Sequence, residues 1–302
     1  MKKAIFIVGP TAVGKTDLAF KISKLFPSIL ISADSVQVYR GANIISGKDK
    51  TLPTQLLDIV DPMGQFSVRN FVQLVRPIVK KAHSQHKIPI IVGGTGFYVN
   101  ALFGKIDTIS IPPNKNLREK LEKLSIESLQ KKLKKTNPHR FEEMNNSDRN
   151  NKGRLIRAIE VAQVQGRTLA RVRPLFKKNE ILMVGLKTSM KNLRKRISGR
   201  VEKRIKMGAL DEAKELFKNY RDLSPQIKAS SGYRQMFDFL SGSISFENAR
   251  QKWIISDYQL ARRQMTWFRR NKDTHWFDIE AKDFKAKVFK LIKSNFKASL
   301  NS

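Results

Sequence analysis

Residues 9–16 read GPTAVGKT, the spacing G-x-x-x-x-G-K-T. Glycines at those positions let backbone N–H groups curl around phosphate oxygens. Lys15 adds a point charge, and the Thr16 hydroxyl can ligate magnesium, so Mg2+ is the expected cofactor. The apolar run AIFIV (4–8) ends just before the loop, and a helical pattern over 15–26 begins inside it. The bare spacing arises by chance in about one chain of this length in a hundred, but a strand before it and a helix after it are the context that confirms it. Gly9, Pro10, Thr11, Ala12, Val13, Gly14, Lys15 and Thr16 are therefore the candidate phosphate-binding residues.

The loop specifies a phosphate, not a reaction. An ATP-hydrolysing enzyme usually holds its metal with an aspartate at the end of a neighbouring strand. The run IPIIV (88–92) ends in GGTG and supplies no acid. The run ILISA (29–33) ends in Asp34, followed by Ser35, Gln37 and Tyr39. A carboxylate at a strand's carboxyl end, beside a bound phosphate group, is well placed as a general base. The alternative is a strand-end aspartate that merely caps a helix.

The elements that must hold these groups can be read from periodicity. Short apolar runs at 4–8, 29–33, 88–92 and 181–186 alternate with helical patterns at 15–26, 66–86, 190–218 and 245–270. That alternation predicts an α/β fold, a parallel sheet covered on both faces. Between 114 and 178 the chain is polar and lysine-rich, with helix patterns near 115–135 and 153–165. The expected organisation is a catalytic core, 1–113 and 179–302, with a helical insertion domain at 114–178. The tail after 280 reads as a lysine-rich helix.

Composition narrows the function. Lys plus Arg number 59 against 26 Asp plus Glu, a formal net charge of +33 that calls for a polyanionic partner. The chain has no cysteine, which excludes disulfides and thiolate metal sites. The pair His83 and His86 sits in a polar stretch and reads as a solvated helix end. The opening MKKAIFIV stops at Gly9-Pro10, too short for a secretory signal, and no run is long enough to span a membrane. A cytoplasmic monomer is expected.

Taken together, GPTAVGKT (9–16), ISADSVQVYRG (31–41), DIVDP (58–62), IPIIVGGTGFY (88–98), GRLIRAIEV (153–161), SGYRQM (231–236) and LARRQMTWF (260–268) resemble the tRNA dimethylallyltransferase family, in its order and over nearly the whole chain. The resemblance implies a P-loop NTPase-like core in which dimethylallyl diphosphate takes the place of a nucleotide. The acceptor is N6 of adenine 37, beside the anticodon of tRNA, and diphosphate leaves. Asp34 matches the family's general base. Thr11 and Lys15 match positions that hold the diphosphate, with Thr16 toward magnesium. Arg200 matches an arginine contacting the leaving group, and Thr95 a residue near both substrates. Ser35, Val36, Gln37, Arg118, Arg154, Arg157, Gly232, Tyr233 and Arg234 match tRNA-facing positions. By spacing alone Arg200 reads as a solvated helix arginine, and Trp253 and Trp267 as core.

The chain departs from the family pattern at Tyr258 and Ala229 and in the longer loop 145–154, which bears on tRNA affinity rather than chemistry. Other readings are a P-loop small-molecule kinase, a transferase acting on free AMP, and a non-catalytic RNA-binding protein. The first has no need of +33, the basic insertion disfavours the second, and intact Lys15, Thr16 and Asp34 disfavour the third.

Overall fold

A computed structural model describes residues 2–104, 106–164, 173–220 and 222–300. It divides into two compact units, Met1–Phe103 with Pro174–Ser302, and Gly104–Arg173.

The first unit is built on one parallel sheet. Its strands are β1 (Ala4–Val8), β2 (Ser28–Ser32), β3 (Thr54–Gln55), β4 (Ile88–Val92), β5 (Ile181–Lys187) and β6 (Thr274–Asp278), in the order β3-β2-β4-β1-β5-β6. Every residue of β1 and β4 is buried, which is why both read as unbroken apolar runs rather than alternating ones. The register pairs Ile5 with Ile90 on one side and with Leu182 on the other. Strand β6, THWFD, lies outside the sequence-based reading. It is an edge strand, mostly half-exposed, and lacks an apolar run; pairing with β5 defines it.

Because the strands are parallel, the carboxyl ends of β1, β2 and β4 share one edge. Hydrogen bonds continue past the strand ends there, from Gly93 N–H to the Ile7 carbonyl (3.2 Å) and from Ala33 N–H to the Val92 carbonyl (2.8 Å). The phosphate loop, Asp34 and Gly93-Gly94 therefore emerge side by side.

Helices α1 (Lys15–Leu25), α2 (Val68–Ser84) and α3 (Gly96–Leu102) belong to this first half. The α1 helix packs Leu18, Ala19 and Ile22 into the core with Ile5, Ile7, Ile90 and Leu186. A reciprocal capping box between Ser67 and Asn70 starts α2, which runs on through Pro77.

Among the described residues the regular structure of the second unit is helical: α4 (Lys115–Glu122), α5 (Ile126–Thr136), α6 (Pro138–Glu143), α7 (Asn146–Arg149) and α8 (Lys152–Ala162). Asn114, Ser125, Asn137, Asn145 and Asn151 each cap one of these helices, accepting from the backbone N–H three residues on. The long loop expected at 145–154 is thus two caps around the short α7. Residue 165, expected to end a helix, lies outside the described residues, as do 166–172. The unit begins before 114 because the turn Asp107–Ser110 and the buried Ile111 belong to it: Arg157 Nη2 donates to the carbonyls of Thr108 and Ile111, both at 2.8 Å.

Glu160 organises this unit. It is 2% exposed and accepts from Asn114 N–H, from both Arg118 Nε and Nη2, and from Arg157 Nη1. Burial alone would raise its carboxyl, but the hydrogen bonds from Arg118, Arg157 and Asn114 outweigh it and bring the pKa down to about 2.

The chain then returns to the first unit as α9 (Met190–Lys206), α10 (Ala209–Asn219), α11 (Pro225–Ala229), α12 (Tyr233–Leu240), α13 (Phe246–Arg269) and α14 (Phe284–Leu300). The single helix expected over 190–218 is two, α9 and α10. Gly208 separates them with φ of 96°, a left-handed conformation that stops a right-handed helix.

Glu160→Gln is expected to destabilise the helical unit by roughly 2–3 kcal/mol, below the full cost of breaking a buried pair because Arg118 is partly in water. Stability from the native carboxylate is present above its unfolded pKa of about 4.5 and is lost as pH falls toward about 2. Urea unfolding of both proteins across pH 2–7 measures the difference, which should close at the acid end.

Candidate active site

The loop needs unusual backbone angles. Gly9 has φ of 137° and approaches the Leu186 carbonyl so closely that a Cβ would overlap it. Ala12 takes φ of 67°, a strained angle for a residue with a side chain, and Gly14 opens α1 at φ of 85°. Three side chains from distant helices fasten this loop. Gln264 of α13 accepts from Thr11 N–H at 2.7 Å. Arg196 of α9 donates to the Ala12 carbonyl at 2.7 Å. Arg200, one turn further along α9, donates to Thr11 Oγ1 at 2.5 Å and pairs with Asp257 at 2.7 Å.

The loop, Asp34 and α9 enclose a cavity of about 620 Å³ in the first unit. Its wall carries five cations, Lys15, Arg196, Arg200, Lys203 and Arg204, against three carboxylates, Asp17, Asp34 and Asp257. The arginines and Lys203 share one stripe of α9, spaced three and four residues apart. Lys15 Nζ donates to the carbonyls of Gly9 (3.0 Å) and Pro10 (2.7 Å). Burial, and then the nearby Arg200, lower its pKa to about 7, against a smaller opposing pull from Asp34.

The two carboxylate oxygens of Asp34 are in different surroundings. Its Oδ1 accepts from Val36 N–H (2.8 Å) and Gln37 N–H (3.2 Å), closing a turn; no helix follows, so the helix cap expected as the alternative does not form. Those bonds leave Oδ2 without a partner among the described residues, on a side chain that lines the cavity. Gln37 accepts from Ser32 Oγ and donates to the carbonyls of Ser46 and Gly47, tying β2 to the far wall. That wall is held by Glu212, whose carboxylate accepts from the backbone N–H groups of Asn43, Ile44 and Ile45 and from the Tyr233 hydroxyl (2.5 Å).

The sequence-predicted residues divide. Thr11, Ala12, Gly14, Lys15, Thr16, Asp34, Val36, Gln37, Arg200 and Tyr233 line the cavity; Ser35, Thr95 and Arg234 do not. Thr95 stands at the N-terminal end of α3, without a side-chain capping bond, beside Gly93 and Gly94, which do line it. Gly94 lacks a Cβ because one would overlap the Gln264 amide; Gly96 lacks one because of Trp267. Gly232, with φ of 93°, packs against Ile45 and Trp253. Trp253 is fully buried, as expected, whereas Trp267 is 37% exposed. Arg118 and Arg157 are engaged with Glu160, and exposed Arg154 pairs with Asp148.

Sequence reasoning did not single out Gln264, Arg196, Arg204, Asp257 or Glu212. Gln264 lay inside a quoted motif, LARRQ. The helical spacing of Arg196, Arg200 and Arg204 was visible, but nothing in it told a cavity-lining stripe from a solvated one.

No group of three or more His, Asp or Glu that could hold a metal is present among the described residues. The exposed Thr16 hydroxyl at the cavity fits a magnesium ion held chiefly by phosphate oxygens and water, not one caged by protein.

A lysine ammonium near pH 7 makes anion binding pH-dependent. Inorganic diphosphate, binding the charged form, should lose affinity about tenfold per pH unit above about 7 and take up one proton per molecule bound there. Calorimetry in two buffers of different ionisation heat measures the proton; Lys15→Met should abolish its uptake.

Residues 37–271 match the family model described as IPP transferase. The tRNA dimethylallyltransferase of Halalkalibacterium halodurans is 34% identical over 304 residues, covering 96% of this chain and 95% of that protein. That of Finegoldia magna is 35% identical over 297 residues, covering 94% and 93%. Among solved structures, the full-length tRNA isopentenylpyrophosphate transferase from Bacillus halodurans has a TM-score of 0.72 at 33% identity, over 100% of this chain and 97% of that one. A eukaryotic dimethylallyltransferase acting on tRNA shares the fold, with a TM-score of 0.77 at 23% identity, over 99% of this chain and 80% of that one. With a family model matched across most of its length and relatives aligned nearly end to end, the chain belongs to the tRNA dimethylallyltransferase (IPP transferase) family.

Proposed function

We propose that this chain transfers a dimethylallyl group from dimethylallyl diphosphate to N6 of adenine 37 of tRNA, giving N6-(dimethylallyl)adenosine and diphosphate. One observation carries the reading: the partner-free oxygen of Asp34 and the cationic phosphate loop open onto the same cavity.

The N6 lone pair forms a bond to the first carbon of the allyl group. The bond from that carbon to the bridging oxygen breaks, and its electron pair leaves with the diphosphate. An N6 proton passes to Asp34 Oδ2. Charge builds on the leaving oxygens as the bond breaks, so cations already in place there lower the barrier. Lys15, Arg200 and the backbone N–H groups of residues 12–16 are those cations and donors. Thr16 would hold magnesium, which when bound neutralises part of the diphosphate charge.

The adenine must leave its stack to reach Asp34. Val36, Gln37 and Tyr233 on the cavity wall are the groups that would meet it. Ser35, Gly232, Arg234 and Thr95, around that wall, are assigned to the tRNA by the family motifs. So are Arg118, Arg154 and Arg157 of the helical unit. Exposed Arg154 is the most available of the three, since Arg118 and Arg157 already hold Glu160. The formal charge of +33 suits an RNA partner. The proposal is of a cytoplasmic monomer; no helix of the described residues is long and apolar enough to cross a membrane.

Two experiments test this. Label carried on the allyl group of dimethylallyl diphosphate should move into tRNA, and label on the γ-phosphate of ATP should not; the reverse result refutes the reading. Asp34→Asn should lower the single-turnover rate by roughly 10²–10⁴-fold, the range of general-base catalysis. Diphosphate affinity should be little changed. A near-normal rate removes Asp34 from the chemistry, and weak diphosphate binding rescued by extra magnesium would make it a metal ligand instead.

A further inference from the structure

Arg204 is the unexplained group on the cavity wall. It lies one helical turn beyond Arg200 and against Gly47, where a Cβ would overlap its guanidinium. It makes no hydrogen bond or ion pair with a described residue. Neighbouring acids do not satisfy it. Asp257 acts on it at a distance, but that carboxylate is bonded to Arg200, and Asp34 Oδ1 is bonded to backbone. Burial, and then the like charge of Arg200, lower its pKa to about 10, so it still carries its proton at neutral pH. The side chain is half-buried, and Asp257 and Asp34 act on it only through space, so its guanidinium keeps its donors open to a ligand that brings acceptor oxygens.

Position separates the possible ligands. Arg196 and Arg200 face the phosphate loop, whereas Arg204 faces Gly47 and lies within electrostatic reach of Asp34 and Tyr233. That is the side where the proposed acceptor enters. The wall's charge agrees, with five cations against three carboxylates leaving +2. A magnesium-bound diphosphate ester brings roughly −1, which leaves about one positive charge for a second anion. A neutral base edge offers acceptors but no charge; a phosphodiester offers both.

We infer that Arg204 binds a backbone phosphate of the RNA strand next to the extruded nucleotide, and is a specific acceptor-side contact separate from the diphosphate site. The inference rests on the proposed transfer reaction.

The test measures binding of an anticodon stem-loop RNA with an unpaired loop adenine, and of inorganic diphosphate with magnesium, to the full-length wild type, Arg204→Gln and Arg204→Lys. Arg204→Gln should bind the RNA roughly tenfold more weakly, with the slope of log affinity against log salt reduced by about one. It should bind diphosphate unchanged, and Arg204→Lys should keep most of the wild-type slope. Weaker RNA binding with an unchanged slope would mean a base contact and overturn the inference. So would a loss of diphosphate affinity, or unchanged binding of both. Thermal melts establish that each variant is folded. Wild-type transfer is the control for the underlying reaction: an inactive wild type counts against that reaction, whereas an active wild type with an unaltered Arg204→Gln salt slope counts against Arg204 alone.

Discussion

Like charges held close together, partly out of water, are the constraint on which the rest of the site depends. Lys15, Arg200 and Arg204 face one cavity, and burial followed by the charge of Arg200 lowers the pKa of both Lys15 and Arg204. Such an arrangement opposes folding, so the protein must enforce it with rigid elements. Two helices do this. The α9 helix brings Arg196 and Arg200 to the loop, and α13 supplies Asp257 to hold Arg200 and Gln264 to hold Thr11. The cations are in position before an anion arrives, the condition under which electrostatic stabilisation needs no reorganisation during reaction.

The opposite wall is held by a different device. Glu212 gathers three successive backbone N–H groups and the Tyr233 hydroxyl, so a loop without regular structure is fixed by one carboxylate. Glu160 does the equivalent in the helical unit, drawing in Asn114, Arg118 and Arg157. Each is a buried charge whose cost is met by a full set of donors. In the helical unit this changes how two motif arginines are understood. Arg118 and Arg157 matched RNA-facing positions, yet in the free protein they serve the unit's own integrity.

The motif glycines also combine roles. Gly9, Gly93, Gly94 and Gly96 each admit a close neighbour: the Leu186 carbonyl, the Ala33 carbonyl, the Gln264 amide and the Trp267 ring, respectively. GGTG is therefore a packing motif as well as part of the cavity wall. It lets α13 lie close enough to the strand ends for Gln264 to reach the phosphate loop.

Local pattern by itself determined the strands at 4–8 and 88–92, the loop between β1 and α1, and the identity of Asp34 as the acid at a strand end. These depend on contiguous residues: an apolar run buried on both faces, glycines that permit a turn, a polar residue closing a strand. Only the tertiary structure decided the rest. Strand β6 forms because β5 offers it an edge, not because THWFD is a strong strand. The break at Gly208 depends on a left-handed angle that the apolar period of 190–218 does not reveal. Arg200 and Arg204 are site residues only because α9 packs with that face toward the loop, and a stripe of basic residues looks the same whether it faces water or a cavity. Asp257, Gln264 and Glu212 act across separations of 57, 253 and 167–169 residues. Contacts that distant are set by how the sheet and helices stack, and no local spacing encodes them.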